Sequence, residues 1–235
     1  MPIRKQIGGM RSAQIVTSGL YDSFNGSGDL DSNKWNVYDP DSETALSVSQ
    51  NDGQYQGVVT GAGNTDTTWF DTDEGVLHYV TMTGDFEMIA RNIGILSGSD
   101  PGTEFQFAGL MVWLSAGNYE FTVVGNRGTD ATNTHENKAT VSSSSAQNDE
   151  GTNSAWSDRS DLRVTRVGST VTFYRQQPGT SPDSWATNDH ASLSQRVSFG
   201  TGAVRVGLIT YGFSFPTNFT SACDQVEIPV GSPVV

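Results

Sequence analysis

The residues with most chemistry to offer are acids in short runs. Asp29-Leu30-Asp31-Ser32-Asn33 sets oxygen side chains at alternate positions, as the first half of a calcium loop does for an ion that takes six to eight oxygen ligands. The second half departs from that pattern, with Lys34 at the sixth position in place of glycine and Pro40 at the twelfth in place of glutamate. Asp71-Thr72-Asp73-Glu74-Gly75 is a second dense run and Asp39-Pro40-Asp41 a third. Two readings stand: a Ca2+ site built on Asp29, Asp31, Asn33, Asp71 and Asp73, or solvated turns in which each aspartate bonds its own backbone.

Aromatic residues in polar surroundings are the second candidate. A sugar presents an apolar face and a hydroxyl rim, so its binding site pairs an exposed ring with amides and carboxylates. Trp69-Phe70, within Thr67-Thr68-Trp69-Phe70-Asp71, and Trp156, within Asn153-Ser154-Ala155-Trp156-Ser157-Asp158-Arg159, meet that description. The competing role is to anchor a long loop onto the body. Trp35, Trp113 and Trp185 have packing roles in the strands described below.

Other chemistries find little. No G-x-S-x-G turn is present to carry a serine nucleophile. His78 stands in the strand-like Leu77-His78-Tyr79-Val80 and reads as structural, while His135 and His190 lie in polar segments and are expected in solvent. Cys223, the single cysteine, forbids an intrachain disulfide and reads as a small buried side chain. Three scattered histidines and one thiol do not make zinc spacing.

Charge divides the 235-residue chain. It has 26 Asp and Glu against 13 Lys and Arg, a net −13, which repels nucleic acid and anionic lipid. Met1 to Leu20 contain Arg4, Lys5 and Arg11 and no acid, so a +3 arm precedes a body of −16. Arg11, Ser12 and Gln14 interrupt any apolar run of signal-peptide length, and no run approaches the 18 apolar residues of a membrane span. The arm suits an acidic neighbour, its own body or another subunit. Arg159, Arg163, Arg166 and Arg175 gather on one predicted hairpin, either as an internal ion-pair network or as a contact patch.

These groups must be held by strands. Phe86, Met88 and Ala90 alternate with Glu87 and Arg91 at the period of two that marks a half-buried strand. Tyr119 to Val123 and Val204 to Tyr211 follow the same rule. Phe107 to Leu114 is apolar on both faces and reads as a central strand. Gly168-Ser169 joins Leu162–Val167 to Thr170–Tyr174 as a type II′ hairpin, and Asn51-Asp52-Gly53 closes an earlier one. Asn126 to Ser160, rich in Asn, Thr, Ser, Gly and Asp, has the composition of a long loop, with Ala139-Thr140-Val141 as a short edge strand at most. Gln176 to Ser194 also fits strands badly. With 26 glycines, twenty-three aromatic residues and no helical stripe, the expectation is all-β: an antiparallel jelly-roll sandwich over residues 21–235, preceded by an extended arm over 1–20.

Gly84-Asp85-Phe86-Glu87-Met88, Ala108-Gly109-Leu110-Met111-Val112 and Asn118-Tyr119 resemble consecutive strands of the concanavalin A-like lectin/glucanase superfamily. Leu162–Arg166, Val171–Tyr174 and Trp185 are similar to its hairpin, in which the tryptophan packs under the sheet. Leu30–Trp35 resembles its opening segment and Asp224–Ile228 its closing strand. The superfamily includes lectins, glycoside hydrolases, adhesion domains and virion proteins, so the resemblance implies a fold and leaves activity to the site. Its hydrolases carry Glu-x-Asp on one strand, and none of the eight glutamates here has aspartate two residues later. The resulting expectation is a non-enzymatic subunit of a larger assembly, a bacteriophage virion, joined to other protein subunits through Arg4, Lys5, Arg11, Arg159 and Arg163. The alternative is a carbohydrate-binding, lectin-like module for surface glycans, with a glycoside hydrolase behind it.

Overall fold

The structure, a computed structural model, describes residues 20–40, 42, 46–60, 69, 71, 73–97, 105–127, 130–150, 159–180, 183–188, 190–213 and 218–234. Over these the chain runs through β1 (Leu20–Asp22), β2 (Asn36–Tyr38), β3 (Leu46–Asn51), β4 (Gln54–Val59), β5 (Leu77–Met82), β6 (Phe86–Ser97), β7 (Phe105–Ser115) and β8 (Asn118–Arg127). It continues through β9 (Asp130–Val141), β10 (Ser144–Glu150), β11 (Arg159–Val167), β12 (Thr170–Gln176), β13 (Ala186–Thr187), β14 (Val204–Phe213), β15 (Phe219–Cys223) and β16 (Gln225–Val230). One helical turn, His190–Ser192, precedes β14.

Local turn chemistry sets the hairpins. Asp52 and Gly53 both take positive φ, 53° and 74°, the two left-handed residues that a type I′ turn needs between β3 and β4. Gly168 takes φ 61° while Ser169 stays at negative φ, as a type II′ turn between β11 and β12 requires. All strand pairs are antiparallel and form two sheets. One runs β13-β12-β11-β6-β15-β4-β3. The length of β6 lets it hold two neighbours on one edge, β16 beside Ile89 and β15 beside Gly94, with β1 outside β16. The other runs β10-β9-β8-β7-β14-β5-β2.

Alternation packs these sheets face to face as a jelly-roll sandwich. Phe86, Met88 and Ala90 of β6, Leu162 and Val164 of β11 and Phe173 of β12 meet Ala108, Leu110 and Val112 of β7 and Val204, Val206 and Leu208 of β14. All are buried, and each large side chain contributes about 1.5–3 kcal/mol by leaving water. Cys223 is buried as expected, its thiol facing the carbonyls of Arg91 and Gln225.

Several expectations need correction. The stretch from Asn126 to Ser160 contains two paired strands, β9 and β10, and β9 is interior to its sheet rather than an edge. Its polar side chains are buried against polar partners. Thr122 donates to Asn137 at 2.9 Å, Asn188 donates to Thr122 at 2.5 Å, and His135 meets the Ser160 hydroxyl at 2.9 Å. His135 and His190 are therefore interior, each 2% exposed, with His190 stacked on Phe173 at 4.4 Å. Arg196 grips the buried Glu120 of β8 with two bonds of 2.8 Å and so ties the segment before β14 to that strand. Trp185 lies over Arg91 and Arg163 on the outside of the nine-stranded sheet, not beneath it.

The hairpin arginines are engaged by partners of this same chain. Arg159 pairs with Asp224 at 2.9 Å and Arg163 with Glu87 at 2.7 Å. Arg166 is buried and donates to the carbonyls of Gly84 and Gly202. Among the assembly candidates, Arg4, Lys5 and Arg11 of the arm lie outside the described residues, as do Phe70 and Trp156.

Candidate functional site

The outer face of the seven-stranded sheet is as aromatic as the core. The residues of β7 that alternate with its core set are Phe107, Gly109, Met111 and Trp113; those of β14 are Arg205, Gly207, Ile209 and Tyr211; those of β8 are Tyr119, Phe121 and Val123. With Trp69 and Tyr38 they form a belt of rings. Tyr38 stands 5.0 Å from Trp113 and 6.3 Å from Trp69, Trp69 is 5.3 Å from Tyr119, and Phe121 is 6.1 Å from Tyr211. Such spacings suit offset and edge-on ring pairs.

Most of this belt is closed. Trp69, Phe107, Tyr119 and Phe121 are 0% exposed, so Trp69, expected as a stacking platform, has no free face. It is fixed against Tyr119, whose hydroxyl donates to the Trp69 carbonyl at 2.7 Å. The far end is closed as well, around a buried ion pair of Lys138 and Glu136 at 2.8 Å, with Lys138 also donating to the Tyr211 hydroxyl. Burial pulls the Lys138 pKa down, and Glu136 and Tyr211 more than reverse this.

The open end is different. Tyr38, Tyr79, Trp113 and Arg205 are half-buried, and Arg205 stands directly opposite Trp113 in the ladder. The Arg205 guanidinium carbon lies 4.2 Å from the Trp113 ring, 4.7 Å from Tyr38 and 4.8 Å from Tyr79. Two donors in this nest, Trp113 Nε1 and Arg205 Nη1, are closed to solvent and make no hydrogen bond. A buried donor left unmade costs about 1–3 kcal/mol, which a bound acceptor would recover. A cleft of about 140 Å³ runs along Trp113, Arg205, Thr81 and Leu114. A second, of about 690 Å³, is lined by Tyr79, Thr81, Asn33, Lys34 and Asn36 and shares Thr81 with the first. Gly207 lies between Tyr79 and Met111 in register, where a Cβ would come within 1.9 Å of the His78 carbonyl.

Sequence reasoning gave Trp113 a packing role and passed over Tyr38, Tyr79 and Arg205. The available signal was alternation, since Arg205 falls in line with Ile209 and Tyr211 on an otherwise apolar face.

The opposite sheet has a rival cleft of about 670 Å³ around Arg91. Its charges are matched: Arg91 holds Asp161, Asp183 and Glu227 at 2.9–3.3 Å, and Asp224 holds Arg159, Asn92 and Gln54. Burial raises the Asp183 pKa and bonds from Arg91 and Gln176 outweigh it, leaving it low. An acid kept ionised in this way is unsuited to donate a proton.

The calcium candidates are engaged locally. Asp31 Oδ1 accepts from the backbone and side-chain nitrogens of Asn33 at 2.9 and 3.0 Å, and these bonds lower its pKa. Asp71 accepts from the Ser145 amide and Asp73 from the Gly117 amide, so both acids pin turns of the seven-stranded sheet. Asp29 is exposed. Among the described residues no group of three or more His, Cys, Asp or Glu side chains could hold a metal ion.

No family model and no curated protein matches the sequence. Solved structures share the fold. A functionally unknown protein from Saccharomyces cerevisiae is 15% identical, with a TM-score of 0.60 over 86% of this chain and 98% of that one. A xylan β-1,4-xylosidase from Bacillus halodurans is 14% identical, with a TM-score of 0.52 over 97% of this chain and 41% of the enzyme, so the match spans about two fifths of it. A protein described as an immunostimulatory antigen and pseudo β-1,3-glucanase of Mycobacterium tuberculosis is 14% identical, with a TM-score of 0.51 over 91% of this chain and 99% of that one. The expectation of a non-enzymatic chain is overturned here, because structures that share the sandwich include a glycoside hydrolase. The fold, a jelly-roll sandwich, is what this chain has in common with them.

Proposed function

We propose that this chain recognises carbohydrate at the open end of the ring belt, with Tyr38, Tyr79 and Trp113 as the stacking surface and Asn33, Asn36 and Thr81 as partners for hydroxyl groups. The observation that carries the reading is the ring nest itself, with two buried donors that have no partner beside two adjoining clefts. An apolar wall with a few convergent polar groups is the make-up of a sugar site. The structurally similar proteins support the same class, since they include a xylosidase and a pseudo β-1,3-glucanase. The virion reading has no such support.

The test is titration calorimetry of the full chain against a panel of soluble plant, algal and bacterial polysaccharides. Binding to at least one, weakened tenfold or more by Trp113→Ala, is the expected result; about 1.4 kcal/mol of binding energy corresponds to that factor. Binding that survives Trp113→Ala and Tyr79→Ala unchanged would place the sugar elsewhere.

A further inference from the structure

We infer that the sugar bound at this site is acidic, a uronic acid or a sulfated residue whose anion lies against Arg205 and Trp113. The inference rests on the carbohydrate reading and names the class of glycan it concerns.

The other arginine side chains among the described residues all meet oxygen partners. Arg91 holds three carboxylates, Arg159 and Arg163 one each, and Arg196 grips Glu120 with two bonds. Arg166 donates to two carbonyls and Arg175 to the Asn188 amide oxygen. In a chain with twice as many acids as bases, an oxygen for every guanidinium is the expected outcome. Among the described residues Arg205 departs from it. Its neighbours are three aromatic rings, and Nη1 is buried with no acceptor.

Rings and carboxylates satisfy different parts of a guanidinium. A ring attracts the cation through its π face, while the N–H groups around the edge form a planar fork that matches a carboxylate or a sulfate in two-point contact. Three rings around Arg205 therefore hold the charge in place and leave its donors unused. Trp113 Nε1, a second unused donor, belongs to the ring nearest that charge. The small cleft beside both is the place for a charged substituent, and the larger cleft across Thr81 receives the sugar that bears it. A neutral sugar would leave the cation uncompensated in a partly desolvated nest. An anionic one supplies the missing counter-charge, the arrangement that gives electrostatic complementarity its specificity.

The test compares glycans of the same backbone with and without charge: polygalacturonate against its fully methyl-esterified form, and a sulfated galactan against the desulfated polymer. Binding to the full chain is measured at 50 and 500 mM NaCl. At least tenfold tighter binding to one charged member of these pairs, reduced by salt, is expected. The pair that shows it distinguishes carboxylate from sulfate. In Arg205→Gln the ratio of charged to neutral affinity should fall to about one, and Arg205→Lys, which keeps the charge without the fork, should restore only part of it. The native chain's own ratio and salt response decide the question even if a variant fails to fold. Equal affinity for charged and neutral members, with Trp113→Ala still weakening both, overturns the inference and leaves the carbohydrate reading standing. No binding to any member of this or the wider panel overturns both.

Discussion

Three histidines are interior in this molecule, and burial disfavours the protonated form of each. Burial pushes His78 down to about 4; burial, with Arg175 or Arg196 nearby, pushes His135 and His190 down to about 3. The unfolded chain protonates its histidines near pH 6.5. Between that value and the native pKa values the unfolded state binds more protons, so stability is complete above about pH 6.5 and is lost progressively as pH falls towards 3–4. Glu120, raised by burial, acts in the opposite sense but is one group against three. Urea midpoints measured from pH 8 to pH 4 should fall steadily below pH 6.5, and His190→Gln should flatten part of that slope; a midpoint constant to pH 4.5 would contradict the buried neutral state. Gly207 gives a second residue-scale expectation. A Cβ there meets backbone at 1.9 Å, so Gly207→Ala should cost about 1–3 kcal/mol, seen as a fall in Tm of several degrees. His78 reads as structural and is interior, but neither the burial of His135 and His190 nor the ring nest was legible in the residues themselves. His135 and His190 stand in polar sequence, and the partners that hold them inside, Ser160 for His135 and the Phe121 carbonyl for His190, are supplied by distant segments.

At the scale of elements, legibility follows the turns. The Asp52-Gly53 and Gly168-Ser169 hairpins announce themselves because glycine takes the left-handed conformation at low cost. The β9–β10 hairpin makes a tight turn of the same kind with Ser142 and Ser143, at φ 51° and 61°, and serine pairs give no such signal. Together with a strand whose buried residues are mostly polar, Thr134, Glu136, Asn137, Lys138 and Thr140 among them, this made the β9–β10 end of the sheet resemble a loop. The same observation makes an expectation about stability. Replacing Ser142-Ser143 by Asn-Gly relieves two strained serines, and should stabilise the chain by about 0.5–1 kcal/mol, measured as a higher urea midpoint with an unchanged m-value. No gain would mean that the bonds of this turn to Asn118 and Gly117 already offset its strain.

For the whole molecule, period-two patterning was enough to give two antiparallel sheets, because a half-buried strand must alternate whatever its partner. It could not give the function, because the face that matters alternates just as the core does: Phe107, Met111 and Trp113 look like packing whether they meet another sheet or a sugar. Only the three-dimensional neighbourhood separates them, through a cation with rings but no carboxylate and two donors with no acceptor. The acidity of the chain also gains a use at this scale, since it makes an arginine without a counter-charge conspicuous. The most direct measurement of the central claim is hydrogen–deuterium exchange of the full chain with and without the tightest-binding polysaccharide. Added protection should concentrate at residues 36–38, 79–81, 113–115 and 203–205, where β2, β5, β7 and β14 frame the open end of the belt. Protection at residues 178–183 and 224–227 around Arg91 instead, or no change on the seven-stranded sheet, would contradict it.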